Sequence, residues 1–219
     1  MIGRGGIGEA VADLLSERDD FARTLTLGRP EVDLEDEAGI AKAAELAAAQ
    51  PFATRFVFDA TGVLHGEDLA PEKSLRDLSI DALARSFAVN AIGPALLMKH
   101  FLPLLPREGR AVFATLSARV GSIGDNRLGG WYGYRASKAA LNQFVRTAAV
   151  ELRRTRPQAI CVALHPGTVA TRLSAPFAKS GLEVRAPETA AKDLLDVIGR
   201  LTPAMSGGFF DQRGETIPW

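Results

Sequence analysis

A doubly wound α/β fold, three layers deep around a mainly parallel sheet, is predicted by three features of the sequence. Short apolar, β-branched or aromatic runs alternate with Ala- and Leu-rich stretches of helical spacing, the pattern of a parallel sheet covered by helices on both faces. A glycine-rich turn opens the first helical stretch. At 219 residues, 47% hydrophobic and 24% charged, the chain has the length and balance of one α/β domain spanning 1–219.

In chain order, buried strands are expected at Thr24–Leu27, Arg55–Asp59, Arg110–Leu116 and Ala159–His165. A small strand at Glu31–Leu34 and a last one near Gly208–Asp211 complete the set. Helical spacing runs over Ile7–Leu15, Ile40–Ala49, Ile80–Leu105 with an interruption at Gly93-Pro94, Tyr132–Arg154 and Pro187–Leu201. The start is unusual. A glycine turn such as Gly3-Arg4-Gly5-Gly6-Ile7-Gly8 normally follows a buried strand, which aims the turn and the helix N-terminus at a phosphate. Only Met1 and Ile2 precede it here, so either the first strand is missing or the fold manages without a central strand. A missing strand strips the turn of its anchor and leaves backbone groups unpaired at about 1–3 kcal/mol each. Weak dinucleotide binding is therefore expected.

Composition narrows the function. Twenty-six basic side chains balance 26 acidic ones, so no global charge draws the chain to nucleic acid or an anionic membrane. No uninterrupted apolar run has the ~18 residues of a membrane span. The single Cys161 excludes an intrachain disulfide, and His65, His100 and His165 lack metal-ligand spacing. The expectation is a cytoplasmic protein without metal, nucleic-acid or membrane partners.

Gly3, Gly5 and Gly8 fit G-x-G-x-x-G, in which the absent Cβ lets backbone N–H groups approach a pyrophosphate. The sharper signal is Tyr134-Arg135-Ala136-Ser137-Lys138. Residues four apart share a helical face, and this face continues through Leu141, Val145, Ala148 and Leu152. An ammonium beside a phenol favours phenolate and draws the tyrosine down from about 10 toward neutrality, where it can donate or accept a proton.

These residues resemble the short-chain dehydrogenase/reductase family, and the resemblance covers nearly the whole chain. Tyr134 and Lys138 match its Tyr-x-x-x-Lys, and Asn90 matches the helix asparagine of its catalytic tetrad. Asp59-Ala60-Thr61-Gly62 stands where the family has Asn-Asn-Ala-Gly. His165-Pro166-Gly167-Thr168-Val169-Ala170-Thr171 is similar to its nicotinamide-binding Pro-Gly segment. Ser117–Ser122 and Tyr134–Asn142 further resemble the C-factor-like branch of small reductases. There are departures: aligning Gly6 and Gly8 with the family's last two turn glycines puts Ile2 where its first belongs, and its serine position falls on Ala118. Ser117 is preferred as the catalytic serine, with Ser122 second.

The resemblance implies a Rossmann-type fold and hydride transfer between a nicotinamide cofactor and a small carbonyl or alcohol substrate. Tyr134, Lys138, Ser117 and Asn90 would be catalytic. Gly3, Arg4, Gly5, Gly6, Ile7, Gly8, Arg29, Asp33, Leu34, Ala60, Thr61, Gly62, Pro166, Gly167, Val169 and Thr171 would join Asn90, Tyr134 and Lys138 in holding the cofactor. About 20 residues past the glycine turn stands Gly28-Arg29 with no acid, which favours the 2′-phosphate of NADP(H), while NAD(H) remains open. A homodimer or homotetramer through the two long helices is implied. Trp131 and Tyr132 read as pocket wall or interface, and Leu173, Pro176, Phe177 and Leu182 as a mildly apolar lid. The rival reading is a nucleotide-binding or signalling protein with the same fold and little turnover.

Overall fold

Four strands form one parallel sheet in the order β1-β2-β3-β4: β1 Phe56–Asp59, β2 Ala111–Leu116, β3 Ala159–His165 and β4 Phe209–Asp211. The structure, a computed structural model, describes residues 1–177 and 184–219. β2 is buried at every position and β3 at all but its last, because helices cover both faces of the sheet. On one face α2 (Glu37–Ala48), α4 (Gly93–Phe101) and α5 (Tyr132–Thr155) close a core with Ile40, Leu97, Phe113, Leu141 and Val145. On the other, α1 (Gly6–Ser16) and α6 (Pro187–Arg200) pack Val11 and Leu194 against Phe58 and Ile160. The three-layer expectation holds.

Helix limits follow local chemistry. Asp36 caps α2 by accepting from the Ala38 N–H at 3.0 Å, and Pro187 opens α6, where its missing N–H costs nothing. The expected interruption at Gly93-Pro94 does not occur. Instead α3 (Ile80–Phe87) passes through a π-turn, Ala88–Ile92, directly into α4. The wider turn accommodates a proline that cannot donate. The resulting Ile80–Leu104 helix is long and apolar enough to cross a membrane. It carries Asp81, Arg85 and Lys99, however, and Leu97, Met98 and Phe101 lie in the core, as in a core helix of a globular protein.

Two expected strands are corrected. Thr24–Leu27 keeps only one bridge, at Leu27, and Glu31–Leu34 forms turns. Local bonds compete there: Glu35 N–H donates to the Asp33 carboxylate, and Asp36 N–H to the Asp33 carbonyl. The first strand is also not wholly missing. Ile2 bridges both Leu27 and Asp59 in parallel: its N–H donates to Phe58 O and its carbonyl accepts from Ala60 N–H, each at 2.8 Å. The glycine turn therefore keeps its anchor. Toward the opposite end of the sheet the gap stays open as a cavity of about 480 Å³, lined by Leu15, Phe21, Leu25, Ala47, Phe56 and Phe101.

From Ile2 the chain turns first to Leu27 on one side and later to β1 on the other. The crevice outside the strand ends at such a switch point is where open α/β sheets bind ligands.

Candidate functional site

The glycine turn lies at this crevice. Gly3 has φ +98° and packs against Ala60 and Thr61. Gly8 is pressed onto the turn, so a Cβ there would stand 2.3 Å from the Gly3 carbonyl oxygen, whereas a Cβ on Gly5 would meet nothing within 4 Å. Gly5 is the N-cap of α1 and offers no side-chain cap, leaving first-turn N–H groups to a ligand. Across the crevice, a Cβ on Gly6 would lie 3.2 Å from Thr171 Cγ2 and 3.6 Å from Pro187 Cγ, so the Pro-Gly segment stands over the turn. Within that segment Val169 is buried and bridges Arg185. Pro166 and Gly167 are half-buried, Gly167 with φ +79°.

β1 ends in the buried carboxylate of Asp59, a residue of the quoted Asp59-Ala60-Thr61-Gly62 motif to which the sequence assigns no role. Asp59 accepts from the Thr61 N–H and hydroxyl at 3.0 and 2.5 Å and from the Thr115 hydroxyl at 2.7 Å. Burial pushes its carboxyl up, and these bonds and Lys138 oppose the shift. Its position just before Ala60-Thr61-Gly62 was the available signal. Asn90, fully buried on the π-turn, ties this loop down: its amide donates to Val63 O and accepts from Val63 N–H, both at 2.8 Å. It also donates to Ser137 Oγ at 3.3 Å. π-turns of this kind are frequent at functional sites.

Tyr134 and Lys138 are both buried on α5. Lys138 Nζ donates to the Leu116 carbonyl at 2.8 Å. It would lie 3.5 Å from a Cβ on Gly62, whose other neighbour is Asn90. Burial lowers the Lys138 ammonium to about 8, with Asp59 opposing. The expectation that Lys138 draws Tyr134 toward neutrality is corrected: burial pushes the phenol up to about 12, and nothing offsets it. Burial disfavours the phenolate, and Lys138 gives its ammonium hydrogen bond to the β2 carbonyl of Leu116. The phenol is thus a protonated donor at neutral pH.

Both candidate serines have hydrogen-bond partners other than the tyrosine. Ser117 is buried and donates to Asn142 Oδ1 at 2.7 Å, two helical turns beyond Tyr134. Ser122 Oγ accepts from Asp125 N–H at 3.1 Å, a turn contact. Asn142 ends the quoted Tyr134–Asn142 segment, and only the fold shows that its side chain is buried against the end of β2.

At the adenosine end, Leu34 is buried against Gly93 of α4 and Asp33 is exposed. Arg4 pairs with Glu31 at 3.2 Å, an acid that the spacing count did not find. Arg29 is exposed and forms no ion pair among the described residues. Of the expected lid, Leu182 lies outside the described residues.

His165 closes β3. Its Nδ1 is shielded without a partner among the described residues, and burial lowers its ring to about 4, with Arg119 adding and Asp211 opposing. Between pH 6.5 and 4 the unfolded chain takes a proton that the folded chain refuses, so stability falls as pH falls through that window. The loss is about 3 kcal/mol. Urea melts at pH 7 and pH 4.5 should show a smaller difference in His165→Gln than in the unaltered chain.

Comparison with known proteins matches residues 10–195 to a family model described as enoyl-(acyl carrier protein) reductase. C-signal of Myxococcus xanthus is 39% identical over 147 residues, covering 67% of this chain and 84% of that protein. A 1-hydroxy-2-glutathionyl-2-methyl-3-butene dehydrogenase of a Rhodococcus species is 31% identical, covering 96% of this chain and 88% of its own. A Burkholderia multivorans short-chain dehydrogenase/reductase solved with bound NADP is 25% identical, with a TM-score of 0.78 over 100% of this chain and 97% of that one.

Proposed function

Because the chain belongs to the short-chain dehydrogenase/reductase family, we propose that it is a single-domain NADP(H)-dependent oxidoreductase interconverting a small carbonyl and its alcohol, with Tyr134 as the proton donor. The observation that carries this reading is the meeting of buried Lys138 with Asn90 at Gly62, beside the crevice that the glycine turn opens onto, with buried Tyr134 one helical turn before Lys138 on α5. The bound dinucleotide supplies the hydride. Gly3, Arg4, Gly5, Gly6, Ile7 and Gly8 would hold its pyrophosphate on the α1 N-terminus; Ala60, Thr61 and Gly62, with Pro166, Gly167, Val169 and Thr171, would flank the rest.

Tyr134 hands its proton to the carbonyl oxygen as negative charge develops there. A phenol held near 12 suits this reductive direction, since it is fully protonated at pH 7. Lys138 is assigned the bond to the nicotinamide ribose. Asn90 fixes the Val63 backbone and so the loop beside that lysine. Ser117 is assigned the oxyanion contact, which requires its hydroxyl to turn from Asn142. Ala118 at the family's serine position and the Ser117–Asn142 bond favour the second reading, a binding protein of the same fold with little turnover.

NADP(H) preference rests on unpaired, exposed Arg29, with Arg4 shared by Glu31, and on the NADP-bound relative. Arg29→Ala should weaken NADPH binding about tenfold more than NADH binding. Equal losses in paired titrations would show that Arg29 does not read the 2′-phosphate.

Self-association is proposed through the long Ile80–Leu104 helix and α5, where Ile92, Phe144 and Val150 are exposed. Solution scattering should return a dimer or tetramer mass, and a monomer mass at every concentration would remove this assignment.

A further inference from the structure

The turn leading into α5 has an unusual backbone. Gly129, Gly130 and Trp131 have φ of +64°, +65° and +53°, and Trp131 is the non-glycine residue with positive φ among the described residues. A bulky side chain there is strained, and such strain persists only where the surroundings impose it. Two residues do so. Glu72, only 4% exposed, accepts from Trp131 N–H through its main-chain oxygen at 2.5 Å and from Gly133 N–H through its carboxylate at 3.1 Å. Arg135 donates to the Gly130, Gly129 and Val120 carbonyls at 2.9, 3.1 and 3.3 Å. A Cβ on Gly133 would stand 2.7 Å from the second Glu72 oxygen, so the carboxylate and the helix start fit closely.

What this clamp holds in place is an indole beside the proton donor. The Trp131 ring is edge-on to Tyr134 at 6.2 Å and to Phe177 at 5.2 Å, and Phe177 meets His65 at 5.6 Å. His65 is in turn fixed on the Arg172 carbonyl at 3.0 Å. Trp131 and Phe177 are half-buried, so part of this aromatic wall stays open next to the reacting position.

We infer that Trp131 is the specificity-determining wall of the substrate pocket, selecting carbonyl compounds with an aryl substituent, and that Glu72 and Arg135 position it. The inference rests on the proposed carbonyl chemistry at Tyr134. A flat apolar ring gains from packing against the indole and Phe177 beyond its burial, while a short alkyl chain reaches neither.

The test compares benzaldehyde with propanal as substrates, with NADPH. Trp131→Gly removes the indole and relieves the backbone strain, so the fold should survive. It should raise KM for benzaldehyde about tenfold and leave KM for propanal and both kcat values within about threefold. Glu72→Ala should reproduce the selective rise, and Glu72→Gln, whose amide oxygen still accepts from Gly133, should restore the original ratio. An equal change for both aldehydes, or none, overturns the inference. A binding measurement keeps it separate from the turnover reading. In Trp219→Phe the sole remaining tryptophan is Trp131, and its fluorescence should change saturably with benzyl alcohol but not with 1-propanol. If neither aldehyde is reduced, the carbonyl reading falls and this titration alone decides. A response to benzyl alcohol upholds the aryl wall, and no response overturns it.

Discussion

Tyr134→Phe is expected to lower the turnover of NADPH-dependent carbonyl reduction by about 10²-fold or more while leaving NADPH affinity and melting temperature nearly unchanged. The ring is buried, and its edge contact with Trp131 needs no hydroxyl, so phenylalanine fills the same space. Only the proton is lost. The hydroxyl makes no hydrogen bond among the described residues, so no structural bond there is broken with it. Stopped-flow hydride transfer and a cofactor titration on the same preparation check both halves. Unchanged turnover would remove Tyr134 as the donor, and a large loss of NADPH affinity would move its role to cofactor binding.

The second large effect separates two glycines of one turn. Gly8→Ala places a methyl 2.3 Å from the Gly3 carbonyl oxygen, which is backbone and cannot step aside. The turn must open, at about 1–3 kcal/mol of stability, and NADPH affinity should fall more than tenfold as the N–H groups lose their aim. Gly5→Ala adds its methyl to open space, at a φ of −84° that alanine accepts, so the melting temperature should hold. Its NADPH affinity should still fall, because that open space is where a pyrophosphate would approach the backbone. Thermal melts with and without NADPH give both readings. Equal melting temperatures for the two variants would contradict the packing account of Gly8, and full NADPH affinity in Gly5→Ala would place the pyrophosphate elsewhere.

The alternation of apolar runs with helical stretches determined the layer order and the limits of α1, α5 and α6 to within about two residues, because both periodicities are local properties of the chain. The same spacing put Tyr134 and Lys138 on one face of α5. Which effect governs their protonation was decided only by the tertiary structure. Burial depends on what packs above a helix face, and here it overrides the attraction that i,i+4 spacing suggests. Continuity through Gly93-Pro94 was likewise a three-dimensional outcome, since the π-turn is held by Asn90 reaching Val63, 27 residues away. The diversion of Ser117 to Asn142 depends on β2 lying against α5, and the reduction of Thr24–Leu27 to one bridge depends on what stands beside it in the sheet. Glu72 carried no signal in the sequence. It is 61 residues from the Gly133 N–H it holds, and only the folded chain brings a buried carboxylate to that helix start.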